Sequence, residues 1–430
     1  MRFISYQQKN FKSAVKSLSR RSQPLAEVEK TVTGVIAEVK KTGDKALLAF
    51  GKKFDRVNFR KGNDLKISAS ELKAAGKTLS PSEKRAIAAS RKNVIAFAKH
   101  SLRKNWTAKN AQGAQVGEIF QAFERVGIYV PGGTAPLIST VNMTVTLAKA
   151  AGVPEIVVCT PPAPDGSINP ALLYALQQAG ATEVYKVGGA QALAAMAIGT
   201  RTIAPVTKVF GPGNSYVVEA KRQLFGLVAV DLLPGPSEIL VLCDSSAKPA
   251  WIATDLLAQA EHGPDSAMVL VSDSKKTLNA VQAEVEKQVL TLKRQKPLRE
   301  VLKKGSTYVL VKTMEDGVQI SNDYAPEHVL LISRREKTLL PMIKTAGAIF
   351  LGNYSPVAVG DFLAGPSHEL PTGGAGKSFP GLTVDQFQRR TSLVKLDRAS
   401  MIKSAPIVAT FADMEGLDAH GRSASIRLED

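Results

Sequence analysis

From about residue 125 the chain settles into one repeated texture: a short apolar run, a Gly/Pro break, then a helix-length stretch. ERVGIYV is followed by PGGTAP and STVNMTVTLAKAAGV, and EIVVCTPP by NPALLYALQQAG. TEVYKVGG leads into AQALAAMAIGT, and KVFGPGN runs into a loop. Strands that alternate with helices return the chain to the same end of the sheet each time. The pattern predicts a parallel, doubly wound sheet.

After EILVLCD the pattern resumes with PAWIATDLLAQAEH and SAMVLVSD, then a long charged helix, STYVLVK, EHVLLIS and AGAIFLG. At 430 residues the chain is too long for one core. It reads as α/β, with two doubly wound, Rossmann-like lobes of mostly parallel sheet. Residues 1–25 form an N-terminal helical segment. Residues 26–128, mostly helical at first, join 238–382 in a large domain that carries the reactive residues. Residues 129–237 are an insertion, and 383–430 a C-terminal arm beyond the connector PTGGAGKSFPGL. Within the helical region Ser80 and Glu83 form a capping box, with Pro81 at the first helical position.

No apolar run is long enough to span a membrane. The basic start MRFISYQQKNFKSAVKSLSRRSQ has the look of a docking helix or an organellar leader, and lacks a secretory core. The net charge of +18 gathers mainly in the first 110 residues, without a nucleic-acid-binding motif, so a solvated basic face is expected and no nucleic acid. The two cysteines, Cys159 and Cys243, end strand-like runs, which fits buried thiols in a reducing cytoplasm.

Histidine is scarce: His100, His262, His328, His368 and His420. His100 sits among Lys and Arg and reads as a surface residue. In LLAQAEHGPDS, Gln259 and His262 are three apart in the last turn of a helix that Gly263 and Pro264 close. They make either half of a metal site or a histidine resting on the helix C-terminus. In NDYAPEHVLL, Glu327 and His328 precede a buried strand, at the mouth of a parallel sheet where α/β enzymes keep reactive groups. A base near neutrality there suits alcohol oxidation; a strand-capping acid beside a satisfied histidine is the other reading. Asp361 and His368 lie in VAVGDFLAGPSHELPTGG, and Glu415 and His420 in MEGLDAHGRS. Together Gln259, His262, Asp361 and His420 would make a sulfur-free zinc shell of catalytic rather than structural type. GxGxxG is absent; VGGAQALAAM and FGPGNSYVVEAKRQ are glycine turns whose N–H groups could meet phosphate.

Over nearly its whole length the chain resembles the L-histidinol dehydrogenase family. The blocks that carry the resemblance are VGIYVPGGTAPLISTVNM, KVGGAQALAAMAIGT, VFGPGNSYVVEAKRQ, PGPSEILVL, DLLAQAEHGPDS, NDYAPEHV, GDFLAGPSHELPTGG and EGLDAHGRSASIR. The resemblance implies one zinc ion per subunit held by Gln259, His262, Asp361 and His420, and an acid–base pair in Glu327 and His328. It implies NAD contacts at Tyr129, Gln191 and Asn214. Ser237, His368 and Glu415 would hold substrate together with His328 and the metal ligands. It further implies a homodimer in which the C-terminal arm completes the partner's site. The implied reaction is the four-electron oxidation of L-histidinol through L-histidinaldehyde to L-histidine, the last steps of histidine biosynthesis. A paralogue acting on another amino alcohol or a diol, or a zinc hydrolase, would share many of these residues. Asn142, where the family more often has an apolar residue, and a short loop between Asn214 and Ser237 depart from the pattern.

Overall fold

The computed structural model describes residues 1–19, 26–132 and 136–429, so the end of the N-terminal segment and the middle of PGGTAP lie outside the described residues. In chain order the strands are β1 (Arg2–Ser5), β2 (Trp106–Lys109), β3 (Gln115–Ala122), β4 (Arg125–Tyr129), β5 (Glu155–Thr160), β6 (Glu183–Lys186) and β7 (Lys208–Phe210). They continue as β8 (Ala229–Val230), β9 (Glu238–Cys243), β10 (Ala267–Ser272), β11 (Ser306–Leu310), β12 (His328–Ile332), β13 (Ala348–Leu351) and β14 (Gln388–Lys395).

Two parallel sheets organise the molecule. The smaller runs β6-β5-β4-β7-β8 and the larger β1-β11-β10-β9-β12-β13. β9, β10 and β12 are buried at every position, as strands covered on both faces must be. The period-2 alternation of strands sorts their side chains into separate cores. Val126, Ile128, Ile156 and Val158 meet one core, with the helices Pro81–Ser101, Ile138–Ala150 and Pro170–Ala179. Tyr129, Val157 and Cys159 meet the other, with the helices Ala26–Thr42, Gly189–Ile198 and Ser215–Leu224.

The helices of 26–101 therefore pack on the smaller sheet, where the sequence pattern had joined them to 238–382. Val28, Val32, Val35 and Val39 make an apolar stripe with helical spacing, which fixes that a face is buried but not which sheet buries it. The N-terminal segment, read as helical, has a helix at Phe11–Lys16 but opens with β1, which lies parallel to β11 with Arg2 opposite Thr307. The capping box is present: Ser80 Oγ accepts the Glu83 N–H, and Pro81 opens the helix. Asn142 is buried and donates to the Ile87 carbonyl at 3.3 Å, tying two helices of that core together. No helix among the described residues is long and apolar enough to cross a membrane.

A third sheet, β14-β3-β2, is antiparallel and leads into the C-terminal arm. There the helices Arg398–Glu415 and Asp418–Ser425 pack on each other as a hairpin. Ile402, Ile407, Phe411 and Met414 remain exposed on it.

At the amino ends of the smaller sheet, Arg125 of β4 donates through Nη1 to Glu155 of β5 and to Glu183 of β6, each at 2.6 Å. Burial works against ionisation of Glu183, but Arg125, the Tyr185 hydroxyl and Lys66 hold its carboxyl down at about 2. A folded-state value below the ordinary one stabilises the fold above the ordinary carboxylate range and is lost as pH falls through the folded value. Glu183→Gln is therefore expected to cost roughly 2–3 kcal/mol near neutral pH, after discounting for partial exposure. Denaturant titrations of both proteins should show that gap closing between about pH 4.5 and pH 2; a gap independent of pH would contradict the assignment.

Candidate active site

In the smaller sheet β4 and β7 are neighbours, and the chain proceeds from them toward opposite edges, to β5 and to β8. Beyond the carboxyl ends of such a pair lies the switch point at which α/β sheets bind ligands. Tyr129 ends β4, and Asn214 follows β7 as the N-cap of the helix Ser215–Leu224, its Oδ1 accepting the Tyr216 and Val217 N–H groups. Gln191 lies in the first turn of the helix Gly189–Ile198, which follows β6. Gly211, at φ 106°, turns the loop so closely past β4 that a Cβ would stand 2.1 Å from the Tyr129 carbonyl oxygen. Asp231 holds this turn: its Oδ2 accepts the Gly211 N–H at 2.8 Å and its Oδ1 the buried Lys221 ammonium at 2.5 Å.

The larger sheet offers its reactive groups at the other end. Glu238 opens β9 and His328 opens β12, so Glu327 and His328 lie at the amino ends of the strands, not at the carboxyl mouth that the sequence rule suggested. His328 pairs across the sheet with Ile239 of β9 and Ala348 of β13. Its Nδ1 donates to the Glu238 carbonyl at 2.9 Å, and the Glu238 N–H donates to Glu327 Oε2 at 2.7 Å. The Glu238 side chain accepts the Gly373 N–H at 3.1 Å. Because a carbonyl accepts only, Nδ1 carries a proton and Nε2 is the titrating atom. That Nε2 is buried with no hydrogen bond among the described residues, 3.7 Å from Asp361 Oδ1.

Asp361 lies at the end of the helix Val357–Phe362, and its carbonyl accepts His368 Nδ1–H at 2.9 Å. His368 Nε2 lies 3.3 Å from Thr140 Oγ1 and 3.4 Å from Glu369 Oε1, while Ser367 donates to the Met143 carbonyl. The loop 361–369 is thus tied to the helix Ile138–Ala150, and the cluster touches both lobes. The helix Pro249–Ala260 ends just before His262 rather than at it; the His262 N–H bonds to the Gln259 carbonyl at 3.3 Å and keeps the two residues in one turn. Gln259 is buried and its Nε2 has no partner among the described residues. Ser237, half-buried, immediately precedes Glu238. Glu415 and His420 lie exposed on the C-terminal hairpin, outside this cluster within one chain.

The electrostatics are those of a buried negative excess. Loss of hydration raises the Glu327 carboxyl, with the neighbouring imidazole opposing. Burial would lower His328, yet Glu327 and Asp361 raise it. Burial also disfavours the Asp361 carboxylate, but His328, His368 and His262 keep it below its ordinary value. His262, open at its rim, is lowered by desolvation and by the other two imidazoles, against Asp361. Glu327 and Asp361 flank the His328 imidazole and Glu369 the His368 imidazole, a gathering of negative charge that a bound cation would balance.

A zinc ion fits this donor chemistry in part. Gln259 presents an unsatisfied buried amide, which would turn its oxygen toward a cation, and His262 and Asp361 add nitrogen and oxygen. Among the described residues no group of three His, Cys, Asp or Glu is arranged to hold a metal within one chain. Sequence reasoning missed Glu238, Glu369 and Thr140. Glu238 had a signal, since it precedes a buried strand as Glu327 and His328 do; Thr140, inside an apolar helix, had none.

An unbonded imidazole nitrogen among carboxylates, tied to a lobe with the strand order of dinucleotide-binding folds, has the chemistry to accept and return a proton. The family described as "Histidinol dehydrogenase" matches residues 18–428. The histidinol dehydrogenase of Xylella fastidiosa strain Temecula1 is 40% identical over 431 residues, covering 100% of this chain and 99% of that one. That of Heliobacterium mobile is 40% identical over 412 residues, covering 96% of each. The crystal structure of histidinol dehydrogenase from Elizabethkingia anophelis superposes with a TM-score of 0.95 at 34% identity, covering 100% of this chain and 98% of that one. The chain belongs to the histidinol dehydrogenase family and is an oxidoreductase.

The ion pair at His368 makes a direct prediction. Burial lowers this imidazole and Glu369 raises it, with a net rise above the ordinary value. In Glu369→Gln the ring should titrate at lower pH than in the parent, followed by NMR of the histidine ring protons. An unchanged titration would remove Glu369 from the account.

Proposed function

We propose that the chain oxidises L-histidinol to L-histidine through L-histidinaldehyde, a four-electron reaction that uses two NAD in succession, with one zinc ion per subunit. The observation that carries this reading is the fixed His328 imidazole, whose Nε2 lies buried 3.7 Å from Asp361 while Glu327 stands beside its Nδ1. Gln259, His262 and Asp361 would hold the metal, with His420 supplied by a second copy of the chain. Bound there, zinc would fix the substrate's imidazole and amine, and NAD would accept two electrons in each oxidation.

The chain's own residues do the proton work. His328 Nε2 takes the hydroxyl proton as the alcohol becomes an aldehyde, and again when the hydrated aldehyde becomes the acid. Pairing Asp361 with a cation removes one of the charges that raise His328, which frees the imidazole to act as base. Glu327, held by the Glu238 N–H, takes a proton from the water that hydrates the aldehyde. Ser237, His368 and Glu415 hold the substrate, whose ammonium group suits the negative excess. Tyr129, Gln191 and Asn214, around the switch point, contact the cofactor. The exposed apolar residues of the C-terminal hairpin support a homodimer in which this arm completes the partner's site. Burial pushes the Cys243 thiol up to about 12 and raises Cys159 as well, so neither is a thiolate nucleophile, and both suit a reducing cytoplasm.

Purified protein supplied with L-histidinol and NAD should form two NADH per substrate consumed and little with small diols. Chelation should abolish the activity and added zinc restore it. His328→Ala should lower kcat by roughly 10²–10⁴-fold. Absence of histidinol-dependent NADH, or turnover without NAD, would overturn the reading.

A further inference from the structure

One feature of the smaller lobe is not absorbed by the proposed reaction. The helix Asp44–Phe50 runs directly into a single π-turn, Gly51–Asp55, which Arg56 ends in the left-handed region at φ 61°. Such a turn followed by a left-handed non-glycine residue is costly and persists only where its surroundings require it. What it delivers is Asp55. The carboxylate faces the Gly188 N–H, which favours its charged form, and Asp55 Oδ1 stands 3.0 Å from where a Cβ on Gly188 would be. Gly188 is the N-cap of the helix Gly189–Ile198 and has no side chain of its own to cap it.

The same Gly188 position is crowded by Pro161, 2.6 Å from that Cβ site, and Pro161 immediately follows β5. Asp55 therefore stands beside the carboxyl end of the second strand of a sheet with dinucleotide-binding order. In that order an acid at or near the end of the second strand receives the ribose hydroxyls. Here β5 ends Cys159–Thr160 and is followed by two prolines, so the sheet supplies no acid of its own there. The adjoining groups point to a ligand. Tyr129 OH accepts the Gly189 N–H at 3.1 Å, and Gln191, 2% exposed, has its Oε1 2.9 Å from where a Cβ on Gly189 would be.

A free helix N-terminus would welcome phosphate. This one is already met by a carboxylate, which repels phosphate and accepts hydrogen bonds from hydroxyls. The glycine turn of VGGAQALAAM thus serves a different purpose from the phosphate cradle its sequence suggests. We infer that Asp55 receives a ribose of the dinucleotide and makes the site select NAD over its 2′-phosphorylated form, NADP. Desolvation raises the Asp55 carboxyl to about 6 against the Gly188 N–H, a cost that hydroxyl donors from a ribose would offset.

The inference rests on the proposed use of NAD, and binding without turnover tests it. Calorimetric titrations of NAD and of NADP into purified wild type, Asp55→Ser and Asp55→Asn give the ratio of the two affinities. Wild type should bind NAD the tighter. Both variants should lose roughly tenfold in NAD affinity, the scale of a hydrogen bond to a charged acceptor, and hold or gain affinity for NADP. Thermal melts show whether each variant is folded, and Asp55→Asn, nearly isosteric, guards against loss of the turn. Variants that keep the wild-type ratio, or that weaken both ligands equally as a purely structural cap would, overturn the inference. Wild type that binds both equally overturns it and leaves the NAD reading standing. Wild type that binds neither overturns both.

Discussion

The site depends on one short exchange between two strand starts. Glu238 receives the Nδ1–H of His328 on its carbonyl and gives its N–H to the Glu327 carboxylate. Two adjacent parallel strands, β9 and β12, are thereby joined at the residues proposed to move protons. The register that sets His328 opposite Ile239 is fixed by strands buried on every side. A slip of one residue would turn the whole strand over, so the core specifies the catalytic geometry. The exchange also fixes the tautomer: with Nδ1 committed to a carbonyl, only Nε2 is left to carry protons.

A buried base among carboxylates is expensive unless a cation shares the site. That cost explains the mixture of groups around His328. Asp361 answers three imidazoles at once, and Gln259 brings a neutral amide where a further charge would have to be offset. Among the described residues no His, Cys, Asp or Glu triad is arranged to hold a metal, and the C-terminal hairpin that carries His420 leaves Phe411 and Met414 uncovered. In the proposed site the further donor is His420 of a second copy.

Much of the fold was legible because strand and helix alternate with clear periods from β4 onward. Ser80, Pro81 and Glu83 announced their helix by local chemistry alone. Packing partners were less legible: the Val28–Val39 stripe demands burial without naming a sheet, and β1 is too short to stand out from a basic segment. At the site, Glu327, His328, Asp361 and His368 were visible as polar residues at the ends of apolar runs, and the structure brings them together. Their position at the amino ends of the strands was not visible, because a run such as EHVLLIS reads alike whichever end faces the ligand. Asp55 was hidden for a related reason: it reaches Gly188 from a π-turn far away in sequence, and nothing around FGKKFD marks it as a neighbour of a glycine turn.

The central claim is that a base held by β9 and β12 works with a donor carried on the other subunit's arm. It is tested most directly by crossing two inactive variants. His328→Ala and His420→Ala are co-expressed with different tags, and the mixed dimer is isolated and assayed with L-histidinol and NAD. If the arms complete each other's sites, one site in the mixed dimer is intact and activity returns to about half that of wild type. A mixed dimer as inactive as either parent, or a chain that forms no dimer, would contradict the account.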